Sequence, residues 1–282
     1  MKNTFFKSNL LKALGIQKGN TISVVGGGGK TSIINKLAKE ASEFHSCPIL
    51  ITTTTNIFSP DKELKFTTIL GKDDTIDTMI KKETSNKKKI FTLARKRIGE
   101  EKIPNQPNKN LKKMKLKGFE NEKIKRFMSK ERILFVEADG SKGLPIKAPN
   151  KNEPVIPMES DYILGVIGLD AIGLSVSKEN VFRLKHFCKI TGLKERMKIS
   201  PESLGLLIKH PNGIFQNSPK NAKKAIILNK ADYIENLDEI EKIAYIINEK
   251  GDFPMTLTDR LIVTSCSWNT SLIYMHDQNR NQ

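Results

Sequence analysis

The sequence at residues 21–32, TISVVGGGGKTS, decides the fold prediction. A short run rich in β-branched residues precedes four glycines, and a helical pattern follows them. Glycines let successive backbone N–H groups turn toward phosphate oxygens, the lysine neutralises phosphate charge, and the next hydroxyl can bind Mg²⁺. We therefore predict a phosphate-binding loop between a strand and a helix. The predicted binding residues are Gly26, Gly27, Gly28, Gly29, Lys30, Thr31 and Ser32.

The loop has the short form G-x-x-G-K-[ST], because Val24 occupies the position where the eight-residue pattern needs its first glycine. A loop of this length also occurs in Mur-type ligases, so the loop alone does not define a reaction. One alternative is a flexible glycine turn in which Lys30 is an ordinary surface lysine. The strand–loop–helix setting favours phosphate binding, with Lys30 as a catalytic residue and Thr31 as a Mg²⁺ ligand.

Apolar runs alternate with helical patterns along nearly the whole chain. Strands buried on both faces give near-continuous apolar runs, and alternation of strands with helices is typical of a parallel sheet. We predict an α/β, P-loop NTPase-like layered fold with a mostly parallel sheet flanked by helices, as one domain over residues 1–282. The ligand site is expected at the carboxyl ends of the strands. The predicted strands lie at 21–25, 48–54, 89–94, 132–138, 162–168, 225–229 and 260–265.

Composition argues against a membrane protein. Hydrophobic residues make up 38% of the chain and the mean hydropathy is −0.39, while no run reaches the ~18 apolar residues that a spanning helix needs. The three cysteines, Cys47, Cys188 and Cys266, are far apart and show no C-x-x-C spacing, which argues against a disulfide framework or a zinc site. No export signal is visible, so we expect a cytoplasmic protein.

The net charge of +17 is concentrated in one segment. Residues 81–130 contain 18 Lys and Arg but only 5 Glu, a net charge of +13, which leaves +4 for the rest of the chain. We interpret this segment as a Lys-rich insertion with a solvated surface, because charge runs usually form solvated faces. Nucleic-acid binding through the segment is the alternative.

Two acidic residues end one of the predicted strands. The sequence RILFVEADGS places Glu137 and Asp139 where an acid can hold Mg²⁺ or orient an attacking water. Glu137 is favoured as the Mg²⁺ ligand, because the pattern of an apolar run followed by E-x-x-G resembles a motif of nickel-delivery GTPases. Both carboxyl groups are catalytic candidates, although a strand followed by Asp-Gly can also be a simple turn.

A possible base-reading motif follows a later strand. AIILNKADYI contains N-K-x-D, in which Asp232 would accept from guanine, the stem of Lys230 would pack along the base, and Asn229 would brace the loop. Adenine lacks the donor pair that guanine offers, so the motif favours GTP over ATP. Ser265 or Cys266 could also lie beside the base.

Two further segments are candidate parts of the site. The threonine run at 52–55 could close on Mg²⁺ and phosphate, or form an ordinary strand edge. The irregular loop at 140–157 contains four prolines, and its Lys142 and Lys147 could bind a second anion or simply lie in a structural crossover. Asp170 follows the next strand and is expected at the same edge.

Taken together, these residues resemble the YqeC family of accessory proteins of selenium-dependent molybdenum hydroxylases. The resemblance is carried by the segments at 26–32, 51–57, 135–157, 161–173 and 210–232. It implies a nucleotide-binding role in maturing such a hydroxylase, which would be the partner. The family pattern has histidine after the threonine run, whereas this sequence has Asn56, so a catalytic role at that position is doubtful.

The leading hypothesis is therefore an accessory protein that binds Mg²⁺ and GTP, or ATP, and hydrolyses the nucleotide slowly. The first alternative is an ATP-dependent ligase or kinase that acts on a small anionic substrate. The second alternative is a basic nucleic-acid-binding protein, which is disfavoured because the charge lies outside the nucleotide motifs.

Overall fold

A computed structural model describes residues 4–71, 73–85, 89–102, 112–234, 237–248, 261–265 and 271–275. The strands are β1 (Thr4–Ser8), β2 (Thr21–Gly26), β3 (Ile49–Thr53), β4 (Asn56–Phe58), β5 (Thr67–Leu70), β6 (Ile90–Ala94), β7 (Lys96–Lys102), β8 (Lys112–Lys117), β9 (Ile133–Glu137), β10 (Ile146–Lys147), β11 (Tyr162–Gly168), β12 (Val181–Phe182), β13 (Lys223–Asn229), β14 (Leu261–Val263) and β15 (Ser271–Met275). The helices are α1 (Leu10–Leu14), α2 (Lys30–Phe44), α3 (Asp73–Ser85), α4 (Asn121–Ile124), α5 (Leu184–Thr191), α6 (Pro201–Lys209) and α7 (Asp238–Asn248).

Ten strands form the central sheet, in the order β1-β15-β14-β13-β11-β2-β9-β3-β6-β5. The eight strands from β14 to β5 are parallel; at one side β15 pairs antiparallel with β14, and β1 pairs antiparallel with β15. The predicted fold, a mostly parallel sheet flanked by helices, is confirmed. Because parallel strands end at the same edge of a sheet, the loops after β2, β9, β11 and β13 meet there.

Helices cover both faces of the sheet. Every residue of β2, β9 and β11 is buried, as the continuous apolar runs predicted. Successive residues of a strand point to opposite faces. Val24 accordingly packs in the cluster that contains α1 and α2, whereas Val25 packs in the cluster that contains α5, α6 and α7. The strand that leads into the glycine loop is therefore fixed from both sides.

The sequence pattern predicted seven of the ten strands in this sheet and missed β1, β5 and β15. Two of these are the outermost strands, and the third, β15, pairs with β1 over residues 4–8 and 271–275. Edge strands carry weaker apolar patterns than central ones, and this pairing joins the two ends of the described chain. Local periodicity therefore held little information about them.

The Lys-rich segment at 81–130 contributes to two sheets. β6 lies inside the central sheet between β3 and β5, whereas β7 and β8 form an antiparallel hairpin that pairs with β4 in a separate three-stranded sheet. We call β7 and β8 the basic hairpin. The loop at 140–157 is irregular apart from β10, which pairs in parallel with β12. Within the described part of the chain, no helix has the length and apolar character needed to cross a membrane.

Candidate functional site

The glycine loop begins at the end of β2, in the middle of the parallel sheet. Gly26, Gly28 and Gly29 have left-handed backbone angles, with φ of 95°, 71° and 110°. A Cβ atom on Gly26 would lie 2.3 Å from the Val166 carbonyl oxygen, and one on Gly28 would lie 2.0 Å from the Gly168 nitrogen. Only glycine satisfies both the backbone conformation and these close approaches.

The amides of the loop differ from the predicted phosphate cradle in one respect. Gly27 N–H donates to the Val166 carbonyl at 2.9 Å and Gly28 N–H donates to the Leu144 carbonyl at 3.0 Å, so neither is turned toward an external phosphate. Gly26 N–H donates to Asp139 Oδ2 at 3.2 Å. The amides that lack an acceptor within their helix are those of the first turn of α2. The anion-binding amides are thus expected at the start of α2 rather than along all four glycines.

Lys30 is buried beneath the loop and is not a surface lysine. Its side chain is only 3% exposed, and its Nζ donates to the Gly26 carbonyl at 2.7 Å. The same Nζ lies 3.2 Å from Asp139 Oδ1. The flexible-turn interpretation, in which this lysine is an ordinary surface residue, therefore does not describe the structure.

Thr31 joins the glycine loop to the acidic end of β9. Its Oγ1 donates to Glu137 Oε2 at 2.7 Å. Burial raises the pKa of Glu137, although the positive charge of Lys30 and the Thr31 hydrogen bond oppose the shift. A hydroxyl and a carboxylate side by side are oxygen ligands of the kind that Mg²⁺ prefers. This pair fits a Mg²⁺ ion, while Ser32 is exposed beside it.

Asp139 belongs to a chain of charges that runs from the buried Lys30 to the exposed Arg183. Its carboxylate lies 3.2 Å from the Nζ of Lys30 and 3.2 Å from the Nζ of Lys147. Lys147 Nζ lies 3.4 Å from Glu153 Oε1, and Glu153 accepts from both Nε and Nη2 of Arg183, at 3.2 and 2.9 Å. Burial works against ionisation of Glu153, but the Arg183 hydrogen bonds and the Lys147 charge lower its pKa overall.

The N-K-x-D segment reaches the glycine loop from β13. Asn229 is buried and its Nδ2 donates to the Gly28 carbonyl at 2.7 Å. Lys230 adopts φ 62° and its Nζ donates to Asp170 Oδ2 at 2.5 Å, whereas Asp232 is exposed. The structure therefore brings Asn229 to the predicted loop, and leaves the Asp232 carboxylate open to solvent.

The threonine run contacts the acidic strand end. Thr53 Oγ1 donates to the Glu137 carbonyl at 2.8 Å, and the Thr54 N–H donates to the same oxygen at 3.2 Å. Asn56, which follows the run, is exposed at the start of β4. The run thus connects the acidic end of β9 to β4 of the three-stranded sheet.

Three further residues that the sequence suggested are Ser265, Cys266 and Lys142. Ser265 is buried after β14, the strand next to β13, while Cys266 lies outside the described residues. Lys142 is exposed, with its Nζ 5.5 Å from the centre of the Phe182 ring. Among the described residues, no three His, Cys, Asp or Glu side chains are grouped as a metal site.

Sequence reasoning missed Glu153 and Arg183. Neither belongs to a motif, and both lie in segments without regular periodicity. Arg183 has a left-handed backbone, with φ 67°, at the N-terminus of α5. Only the pairing of β10 with β12 brings Arg183 to the loop at 140–157.

Comparison with known proteins agrees with the resemblance seen in the sequence. The chain matches the family described as YqeC protein over residues 22–185. It is 33% identical over 239 residues to a protein of Escherichia coli (strain K12) that is named uncharacterized protein YqeC. The aligned region covers 84% of this chain and 86% of that relative. No solved structure matches the chain significantly. The chain belongs to the YqeC family.

Proposed function

We propose that this protein binds a nucleoside triphosphate with Mg²⁺ at the glycine loop and hydrolyses it slowly. The observation that carries the proposal is the hydrogen bond from Thr31 to Glu137, 2.7 Å long, beside the buried Lys30 at the start of α2. This arrangement combines a phosphate-binding lysine, two oxygen ligands for Mg²⁺ and a helix N-terminus with free amides. Mg²⁺, when bound, would neutralise phosphate charge.

The roles of the acids follow from their contacts. Glu137 touches the Thr31 hydroxyl, which supports it as the Mg²⁺ ligand. Asp139 contacts Lys30 and the Gly26 amide instead. Asp139 would therefore act at the phosphate side, where a carboxylate can orient the attacking water.

GTP is the proposed nucleotide. Asn229 braces the Gly28 carbonyl, and the exposed Asp232 follows two residues after Lys230, which is the order that guanine recognition needs. The biological role that we propose is assistance in maturing a selenium-dependent molybdenum hydroxylase, and this role rests on the family resemblance alone.

Calorimetric titration with GTP, ATP and CTP in the presence of Mg²⁺ tests the nucleotide assignment. The wild-type protein should bind GTP most tightly, and K30A should weaken that binding by at least about tenfold, because it removes a charged hydrogen-bond donor. K39A is the matched control, since Lys39 is an exposed lysine on the same helix. D232A should reduce the preference for GTP over ATP.

The results of these titrations distinguish nucleotide binding at the loop from the alternative functions. Binding of no nucleotide by the wild-type protein, or equal binding by K30A and K39A, would contradict nucleotide binding at this loop. ATP binding that D232A does not change, with ADP formed only when an acceptor is added, would favour a ligase or kinase.

A further inference from the structure

Lys147 is a buried lysine that the proposed nucleotide site does not yet use. Its side chain has no exposed surface, and its Nζ lies 3.2 Å from Asp139 Oδ2 and 3.4 Å from Glu153 Oε1. Neither of these two ion pairs has the geometry of a hydrogen bond. The N–H donors of this ammonium group therefore have no hydrogen-bond acceptor within the described part of the chain. The Phe182 ring, whose centre lies 5.5 Å from Nζ, adds a cation–π contact but accepts no N–H···O hydrogen bond, so the hydrogen-bonding capacity of this buried ammonium group is unused.

The backbone next to Lys147 is packed directly on the glycine loop. The Gly28 amide donates to the Leu144 carbonyl at 3.0 Å, and a Cβ atom on Gly27 would lie 2.9 Å from the carbonyl oxygens of Leu144 and Pro145. The Pro145 carbonyl also accepts from the Gly168 amide at 3.1 Å. Lys147 therefore belongs to a segment whose position is fixed by its packing on the glycine loop.

Both carboxylates near Lys147 also contact another cation. Asp139 is shared with Lys30, and Glu153 is engaged by two hydrogen bonds from Arg183. Lys147 therefore shares each of its two carboxylate neighbours with a second cation, either Lys30 or Arg183. The Lys147 side chain itself is fully buried, where electrostatic interactions are stronger than at the surface.

The position of the Asp139 carboxylate indicates which kind of ligand group the two lysines bind. Its carboxylate oxygens lie between both ammonium groups and one of them accepts the Gly26 amide. This is an anion position made from two lysines and a backbone N–H. A phosphate oxygen presents the same charge and the same acceptor geometry.

We propose that Lys147 is a second phosphate-binding lysine, which recognises the terminal phosphate and makes the site selective for nucleoside triphosphates over diphosphates. This inference rests on the proposed function, because it assumes that the phosphates lie at the glycine loop. A cation supplied by the same chain at this point would stabilise the charge of the terminal phosphoryl group. Lys30 and the start of α2 would hold the inner phosphates.

The test compares K147M with wild type in titrations with Mg²⁺-GTP and Mg²⁺-GDP, and in parallel with ATP and ADP. K147M should lose at least about tenfold in triphosphate affinity, while its diphosphate affinity stays within about threefold, because one charged hydrogen bond to the terminal phosphate is removed. K147R should retain the triphosphate preference. K151M is the control, since Lys151 is an exposed lysine of the same loop.

K147Q covers the case in which K147M does not fold, because its side-chain amide can still donate to Asp139 and Glu153 but carries no charge. The triphosphate-to-diphosphate affinity ratio of K147Q should also fall below that of wild type. An unchanged ratio in a folded K147M or K147Q would overturn the proposal while nucleotide binding stands. Absence of nucleotide binding by the wild-type protein would instead overturn the proposed function.

Discussion

The buried charge cluster at the glycine loop and the basic hairpin use lysine in opposite ways. Lys30 and Lys147 are at most 4% exposed and converge on the Asp139 carboxylate. Lys96 and Lys112 in the hairpin are exposed, each opposite another lysine of the hairpin. Most of the net charge lies in the segment that contains the hairpin, whereas the buried contacts between lysine and carboxylate lie in the cluster.

The two regions differ because the charges of these two hairpin lysines are exposed to water, whereas those of Lys30, Lys147 and Asp139 are buried. An exposed ion pair is screened by water and salt and contributes about 0–1 kcal/mol. A buried pair loses its hydration, so removing one partner leaves a charge that neither water nor protein stabilises. Net charge therefore indicates little about where a protein uses electrostatics.

The largest expected effect comes from removing the central carboxylate of the buried cluster. D139N should lower the free energy of unfolding by about 3–5 kcal/mol, because Lys30 and Lys147 lose their shared counter-ion. The matched change is D61N, since Asp61, which follows β4, is 65% exposed and pairs at 2.6 Å with Lys113 of the basic hairpin. Its expected cost is at most about 1 kcal/mol. Urea denaturation measures both, and similar losses in the two variants would contradict the comparison.

The next effect tests the close packing of the glycine loop. G28A should destabilise the protein by about 2–4 kcal/mol, because it adds a side chain at φ 71° only 2.0 Å from the Gly168 nitrogen. G140A is the control, since a Cβ atom there meets nothing within 4 Å. Thermal unfolding should show a clear fall in Tm for G28A only; an unchanged Tm in G28A would show that the loop tolerates rearrangement.

A third, smaller effect depends on pH. Burial raises the pKa of Glu40, although its Oε2 accepts from the Leu11 amide at 2.7 Å. The folded state thus binds a proton at the Glu40 carboxyl more tightly than the unfolded chain does. The protonated carboxyl contributes its stability below the usual carboxyl pKa, and this contribution is lost as the pH rises through the raised pKa. E40Q should be at least as stable as wild type at neutral pH and lose that advantage at low pH.

Denaturation of E40Q and wild type across a pH series measures this difference. The control is E101Q, because Glu101 lies in the basic hairpin and its side chain is 49% exposed. The difference between E101Q and wild type should vary less with pH than that of E40Q. A pH-independent difference for E40Q would show that its carboxyl does not carry the expected effect.

The smallest effect is expected in the hairpin itself. Lys96 pairs with Lys117 and Lys102 pairs with Lys112 across the two strands. K96Q/K112Q relieves both like-charge pairs and should raise the free energy of unfolding by about 0.2–1 kcal/mol per pair. High salt should remove this gain, because it screens exposed charges.

The same variant separates the hairpin from the nucleotide site. Its affinity for Mg²⁺-GTP should stay within about twofold of wild type, since the altered lysines are exposed surface charges. A larger loss would show that the hairpin takes part in nucleotide binding. Substitutions are preferable to deletion here, because a deletion across 84–118 would also remove β6 from the central sheet.

The central strands and the glycine loop were predictable because their signals are local. Burial on both faces makes β2, β9 and β11 apolar throughout, and the close approaches at Gly26 and Gly28 exclude any side chain. The edge strand β1 was missed, because its pairing with β15 depends on contacts between distant parts of the chain.

By itself, the sequence determined the mostly parallel fold and identified Lys30, Thr31 and Glu137 as neighbours, since motif spacing and apolar periodicity are written in consecutive residues. Only the tertiary structure decided that Lys147, Glu153 and Arg183 extend the charge cluster. No spacing pattern links these three residues; the packing of residues 144–147 on the glycine loop and the pairing of β10 with β12 bring them together. Because these contacts join separate segments of the chain, local spacing in the sequence does not encode them.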